Sequence, residues 1–155
     1  MIQNIKKILA PIDFSEHSME AMRGAMELAK DLGASEVHLM HVIAPQQSFI
    51  PSTIEQNREL ARESAMLEQA EQELARIKKD ELGDSKKVIT FAVVGAPVQK
   101  LAEYAKEQEI DLIMVATHGR TGGERLLLGS VTEKLLRIAP CSVLVYRHRE
   151  RQVQG

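Results

Sequence analysis

The chain has no tryptophan, two tyrosines and three phenylalanines, an aromatic share of 3 %. A protein that stacks the bases of a nucleic-acid strand needs aromatic platforms, and this one has few to offer. Charge of one sign is equally scarce: 20 Lys and Arg against 22 Asp and Glu leave a net −2. That balance supplies no basic field for nucleic acid or for an anionic membrane surface, so neither is an expected partner. A single cysteine, Cys141, cannot close an internal disulfide. It lies in the apolar run "PCSVLVY", where a lone cysteine behaves as a small buried hydrophobe, and a reducing, cytoplasmic setting is expected. No stretch reaches the roughly 18 apolar residues of a membrane-spanning helix. Asp13 closes the N-terminal run "ILAPI" before it is long enough for a signal segment.

What is present is an ordinary globular composition, 44 % hydrophobic and 27 % charged over 155 residues, enough for one domain with one core. Strand-like and helix-like segments alternate from end to end. "IKKILAPID" reads as a strand. "SEHSMEAMRGAMELAKDLG" follows with Met22, Ala25, Met26 and Ala29 at helical spacing and Gly33 as its left-handed stop. "EVHLMHVI" is a second strand. After the loop "APQQSFIPST" a long charged helix runs to about Leu82, with Leu60, Leu67, Leu74 and Ile77 along one stripe. "KKVITFAVV" is a third strand, and Pro97 suits the first turn of a helix that carries Leu101, Ala102 and Ala105 inward. "IDLIMVA" is apolar throughout, as expected of a strand covered on both faces. A glycine-rich loop, a helix from about Val131 to Ile138 and a fifth strand "SVLVYR" complete the domain, residues 1–147. The tail 148–155, "HRERQVQG", has no apolar period and is expected to fray.

Five strands separated by helices imply right-handed crossovers and an α/β fold, an open, doubly wound, Rossmann-like parallel sheet with helices on both faces. In such sheets ligands bind outside the carboxyl ends of the strands at the topological switch point. That rule selects the end of strand one (Pro11 to Ser15), the end of strand two (Val42, Ile43) and the segment from Ala116 onward. The last is the most pointed: "ATHGRTGGERLLLGSVTEKLL" sets Gly119, Gly122, Gly123 and Gly129, with Arg120 and Arg125, ahead of a helix. Glycines let main-chain N–H groups approach an anion, and a helix N-terminus adds unpaired donors. Ser130-Val131-Thr132-Glu133 is also a capping box, in which Ser130 and Glu133 bond each other's main-chain N–H with no ligand at all. The residues alone leave both readings open. Asp13 allows two as well, a hydrogen-bond acceptor for an exocyclic amine or an acid favouring a helix start, while Ser15 is the expected cap of that helix.

This pattern resembles the universal stress protein family, and in particular its ATP-binding branch, whose signature is Gly-x-x-Gly, nine residues, then Gly-Ser or Gly-Thr. Gly119, the nine residues 120–128 and Gly129-Ser130 match it; the first glycine is Ala116 here. "KKILAPIDFSEHSMEAM", "VHLMHVI" and "VVGAPVQKLAEYAKEQEIDLIMVATHGRTG" resemble the family's other segments, so the likeness spans about residues 4–147. The resemblance implies a sheet of order 3-2-1-4-5 and ATP, accompanied by Mg²⁺ or Mn²⁺, as ligand. It implies that Pro11, Asp13 and Val42 meet the adenine. The ribose and phosphates would then meet Ala116, Thr117, His118, Gly119, Arg120, Gly122, Gly129, Ser130, Val131 and Thr132. It further implies a homodimer through the C-terminal edge strand and a nucleotide-dependent regulatory, stress-response role, with any protein partners unidentified. No general base is evident, so an enzyme is not expected, although slow ATP hydrolysis or autophosphorylation at Ser130 or Thr132 is known in the family. The competing reading is a dimeric stress-response scaffold that acts through protein partners, with weak or no nucleotide binding.

Overall fold

The computed structural model describes residues 4–45, 53–83, 87–117 and 128–147. Five parallel strands form one sheet in the order β3-β2-β1-β4-β5: β1 Lys7–Pro11, β2 Glu36–Ile43, β3 Lys87–Val94, β4 Leu112–Ala116 and β5 Ser142–Tyr146. Helices α1 (Glu16–Leu32), α2 (Thr53–Ile77), α3 (Pro97–Glu107) and α4 (Ser130–Ile138) make the crossovers. The fold class and strand order are those expected from the sequence.

The sheet carries two cores because strand side chains alternate between its faces. Ile8, Ala10, Val37, Leu39, Leu112 and Met114 join Met22, Ala25, Ala29, Leu74 and Ile77 of α1 and α2 on one side. Leu9, Met40, Ile113 and Val115 join Leu101, Ala105 and Leu135 of α3 and α4 on the other. Strands β1 and β4 are covered on both faces, which is why their sequences read as continuous apolar runs.

Helix ends follow local chemistry. Ser15 caps α1, its side chain accepting from the Ser18 N–H, and Gly33 ends the helix at φ 66° with its N–H on the carbonyls of Ala29 and Lys30. Pro97 opens α3 from the first turn. Two expectations need correction. The α2 stripe packs only in its C-terminal half: Leu74 and Ile77 are buried, Leu67 is half-buried, and Leu60 is 64 % exposed. Helix α2 has 25 residues, longer than the sheet face beneath it, and closes in a π-helical turn, Lys78–Leu82. The run "PCSVLVY" is less buried than expected: at the sheet edge Cys141, just before β5, is half-buried and Leu144 is 38 % exposed.

One glycine in α1 is a packing requirement. A Cβ on buried Gly24 would stand 2.6 Å from Cε2 and 2.8 Å from Cδ2 of the Tyr146 ring on β5. Gly24→Ala gains about 1 kcal/mol of helix propensity against roughly 1–3 kcal/mol of overpacking. The expected result is a net loss of stability in urea denaturation, turned into a gain when Tyr146→Leu is introduced alongside. Equal effects of Gly24→Ala with and without the ring would contradict this contact.

Candidate functional site

The parting of two central strands makes the crevice. Strand β1 pairs with β4 at Ile8↔Leu112 and Leu9↔Ile113. Beyond those residues β1 continues along β2 to Pro11↔Met40, while β4 continues along β5 to Ala116↔Tyr146. The carboxyl ends of β1 and β4 thus belong to opposite lips of an opening at the switch point, the place where open α/β sheets bind ligands.

On one lip, Pro11 ends β1 half-buried, and Ile12 prolongs the pairing by donating its N–H to the Met40 carbonyl at 2.9 Å. Asp13 follows, half-buried, its Oδ1 accepting from the Ser15 N–H at 2.9 Å and from the Ser15 hydroxyl at 2.5 Å. Ser15 in turn accepts from the Ser18 N–H at 3.2 Å. The carboxylate is therefore oriented by the residue that caps α1. Val42 stands half-buried near the end of β2, opposite Val93 of β3.

On the other lip, Ala116 ends β4 and Thr117 follows, both half-buried. The Thr117 N–H donates to the Tyr146 carbonyl at 3.2 Å, and its carbonyl accepts the Gly129 N–H at 2.8 Å. The chain segment between them is thus closed at its base by a main-chain bond. His118, Gly119, Arg120, Gly122, Gly123 and Arg125 fall within that segment and lie outside the described residues. Ser130 is exposed at the first turn of α4, and Val131 packs half-buried against the second core. Thr132 is buried, its hydroxyl donating to the Ala116 carbonyl at 2.9 Å. That bond pins the start of α4 to the end of β4 and engages the hydroxyl in the fold, which leaves Ser130 the better exposed of the two.

The capping-box expectation is corrected here. Gly129, not Ser130, is the N-cap, at φ −58° and ψ 152°, and no side chain caps the helix. The Glu133 N–H bonds the Gly129 carbonyl at 2.9 Å, while the Glu133 carboxylate faces Arg137 one turn on at 2.8 Å. Ser130 therefore sits inside the helix, and its hydroxyl is not used as a cap. The first turn of a helix carries N–H groups without intrahelical partners and the positive end of the dipole, chemistry suited to an anion, and α4 starts beside the end of β4. Among the described residues no group of three or more His, Cys, Asp or Glu is arranged to hold a metal ion.

Sequence reasoning passed over two residues beside Asp13. Phe14 adopts φ 64°, a left-handed conformation rare for a bulky side chain, and its ring lies 4.6 Å from that of His41. His41 reaches the Ile12 carbonyl through Nδ1 at 2.6 Å. Its position near the end of the second strand was the one available signal.

Away from the crevice, His38 is buried in β2, with Nε2 2.9 Å from Glu36 and Nδ1 2.7 Å from the Tyr104 hydroxyl. Burial pushes its pKa below 6.5, outweighing the raising effect of the Glu36 hydrogen bond. The His38 bond in turn holds the Glu36 carboxyl below 4.5. The unfolded chain therefore takes up the His38 proton before the fold does. Stability from this group is complete above pH 6.5 and declines as pH falls from there toward the folded pKa, with a slope of up to about 1.4 kcal/mol per pH unit. Glu36 acts in the same direction only below 4.5. Urea midpoints between pH 7.5 and 5 are expected to fall, and to fall less in His38→Gln; identical slopes would contradict the assignment.

The helices described include none long and apolar enough to cross a membrane. The model of the universal stress protein family matches residues 4–147. Among curated relatives, universal stress protein MJ0531 of Methanocaldococcus jannaschii is 35 % identical over 95 % of this chain and 85 % of its own length. Universal stress protein MJ0577 of the same organism is 31 % identical over 93 % of this chain and 96 % of its own. The solved structure of MJ0577 superposes with a TM-score of 0.80 at 32 % identity, covering 95 % of this chain and 99 % of that one. With a family match across nearly its whole length and the same sheet order and crossovers, the chain belongs to the universal stress protein family.

Proposed function

We propose that this protein binds an adenine nucleotide, ATP foremost, and works as a nucleotide-dependent regulator in a stress response. The observation that carries the reading is the junction of β4 with α4. Gly129, matching the last glycine of the family's ATP-binding signature, stands as a bare N-cap where β1 and β4 part. A residue without a Cβ at a helix start lets phosphate oxygens approach main-chain donors. Gly119 and Ser130 complete the signature spacing in the sequence. Across the crevice, the Asp13 carboxylate and the Val42 main chain offer the acceptor and donor groups that an adenine edge requires. His118, Gly119, Arg120 and Gly122 supply the remainder of the phosphate and ribose contacts in this reading. Mg²⁺ or Mn²⁺ accompanies the triphosphate. Binding rather than turnover is the proposed activity. Mass spectrometry of the small molecule released on denaturing protein purified without added nucleotide tests this: an adenine nucleotide near one equivalent is expected, and a different resident ligand would overturn it.

The same reading includes a homodimer. Among the described residues strand β5 closes one edge of the sheet and pairs with β4 alone, so its outer donors and acceptors need a partner or water. Leu136, Ile138 and Leu144 are exposed on α4 and β5, and pairing two β5 edges would shield apolar surface as well as main-chain groups. Light scattering at micromolar concentration is expected to give twice the 17.3 kDa chain mass; a monomer would contradict it.

A further inference from the structure

The turn after β1 is built around a histidine that the binding reading leaves without a task. His41 lies on β2, and its Nδ1 is 2.6 Å from the Ile12 carbonyl oxygen. A carbonyl only accepts, so Nδ1 must carry the proton, and the neutral ring is the Nδ1–H tautomer. The same ring rests against Phe14, with centroids 4.6 Å apart and planes tilted by 40°. Phe14 holds φ 64°, a conformation that persists for a bulky residue only where its surroundings over-determine it. Those surroundings are on either side of it. Ile12 is tied through its N–H to Met40 and through its carbonyl to His41, and Asp13 Oδ1 is tied to the Ser15 N–H and hydroxyl. Asp13 lies between the two ties, at the lip of the crevice.

We propose that His41 is a positioning residue for nucleobase recognition: by clamping the Ile12 carbonyl and backing the Phe14 ring it fixes the Asp13 turn against one base edge. The inference rests on the adenine-nucleotide reading above and extends it to the choice of base. A carboxylate held in one place accepts from the exocyclic amine of adenine and repels the carbonyl oxygen that guanine presents at the equivalent position. A carboxylate free to swing discriminates less, because selectivity comes from polar groups that cannot move away from the wrong partner. His41 touches no ligand in this scheme and acts through Ile12, Asp13 and Phe14.

Calorimetric titration of wild type, His41→Leu and His41→Asn with ATP and GTP tests the proposal, alongside thermal unfolding without ligand. His41→Leu is expected to lose about tenfold or more in ATP affinity while GTP affinity changes little, so that the ATP:GTP ratio collapses. His41→Asn, whose amide nitrogen takes the place of Nδ1, is expected to restore most of the ratio. A simple loosening of the fold would lower the midpoint of unfolding and weaken both nucleotides together, and that result overturns the positioning role. So does an unchanged ratio in His41→Leu. Ring ¹⁵N shifts of wild-type His41 provide a second readout that needs no variant: a protonated Nδ1 is expected, and a bare Nδ1 would overturn the clamp. A wild type that binds neither nucleotide removes the adenine reading and the positioning role together, whereas a wild type that binds ATP with His41→Leu unaltered removes the positioning role alone.

Discussion

Gly129→Val is expected to weaken ATP binding by about 10- to 100-fold, the equivalent of one or two charge-assisted hydrogen bonds to phosphate. The substitution is informative because the backbone offers no reason for it to fail. At φ −58° and ψ 152° Gly129 occupies a region open to every residue type, and its N–H bond to the Thr117 carbonyl does not depend on the side chain. Replacing glycine by valine at an N-cap costs helix stability of about 1 kcal/mol at most, too little to unfold a domain of ordinary stability. What a branched side chain changes is the space in front of the first turn of α4, where phosphate oxygens would stand. The measurement is calorimetric ATP affinity beside urea denaturation of the same protein. Retained affinity would show that the helix start is merely a well-made turn.

Leu135→Ala is expected to cost about 2–5 kcal/mol of folding stability, the range for a leucine removed from a core that cannot collapse around the gap. Leu135 is 0 % exposed and packs with Leu9, Leu101, Ala105, Ile113 and Val115. Helix α4 has nine residues, of which only Thr132 and Leu135 are buried, and a helix that short does not persist in water without tertiary anchorage. The loss therefore falls on the element whose first turn flanks the crevice. Urea denaturation should show it, with Lys134→Ala, an exposed neighbour, staying within about 0.5 kcal/mol of wild type. A Leu135→Ala loss below about 1 kcal/mol would mean that α4 is held by something other than this contact.

Local chemistry made much of the fold legible. Glycine at the end of α1, proline at the start of α3 and the unbroken apolar run of β4 each announce their element, because caps and two-sided burial are properties of a few adjacent residues. Strand order is another matter. It came from family resemblance, since nothing local tells β4 to lie beside β1. The misjudged features share one cause. The α2 stripe shows which face turns inward but not how far the sheet extends beneath it, so Leu60 ends exposed. "PCSVLVY" looks buried from its apolar residues alone, yet at the sheet edge one side of it is left partly open, so Cys141 is half-buried and Leu144 exposed. The start of α4 shifts by one residue because Thr132 reaches back to Ala116 and Glu133 finds Arg137, bonds that compete with the capping box and that spacing alone does not rank.

The candidate site was legible where main-chain chemistry is written as glycine and helix signals, at Gly129 and Ser130, and at the strand ends that the switch-point rule selects. It was not legible at Phe14 and His41. Their role depends on a ring meeting a carbonyl from another strand, and no pattern along one strand encodes that meeting. Four of the residues assigned to the phosphates and ribose, His118, Gly119, Arg120 and Gly122, lie outside the described residues, and their part rests on the signature spacing.

Nucleotide binding at the β1–β4 switch point is the claim on which the functional account stands. Calorimetric titration of the purified, nucleotide-stripped wild-type protein with ATP in the presence of Mg²⁺ addresses it most directly. One site per chain with a dissociation constant in the micromolar range or tighter is predicted, about −8 kcal/mol or more favourable. No heat of binding at millimolar ATP, from protein whose unfolding remains cooperative, would contradict it.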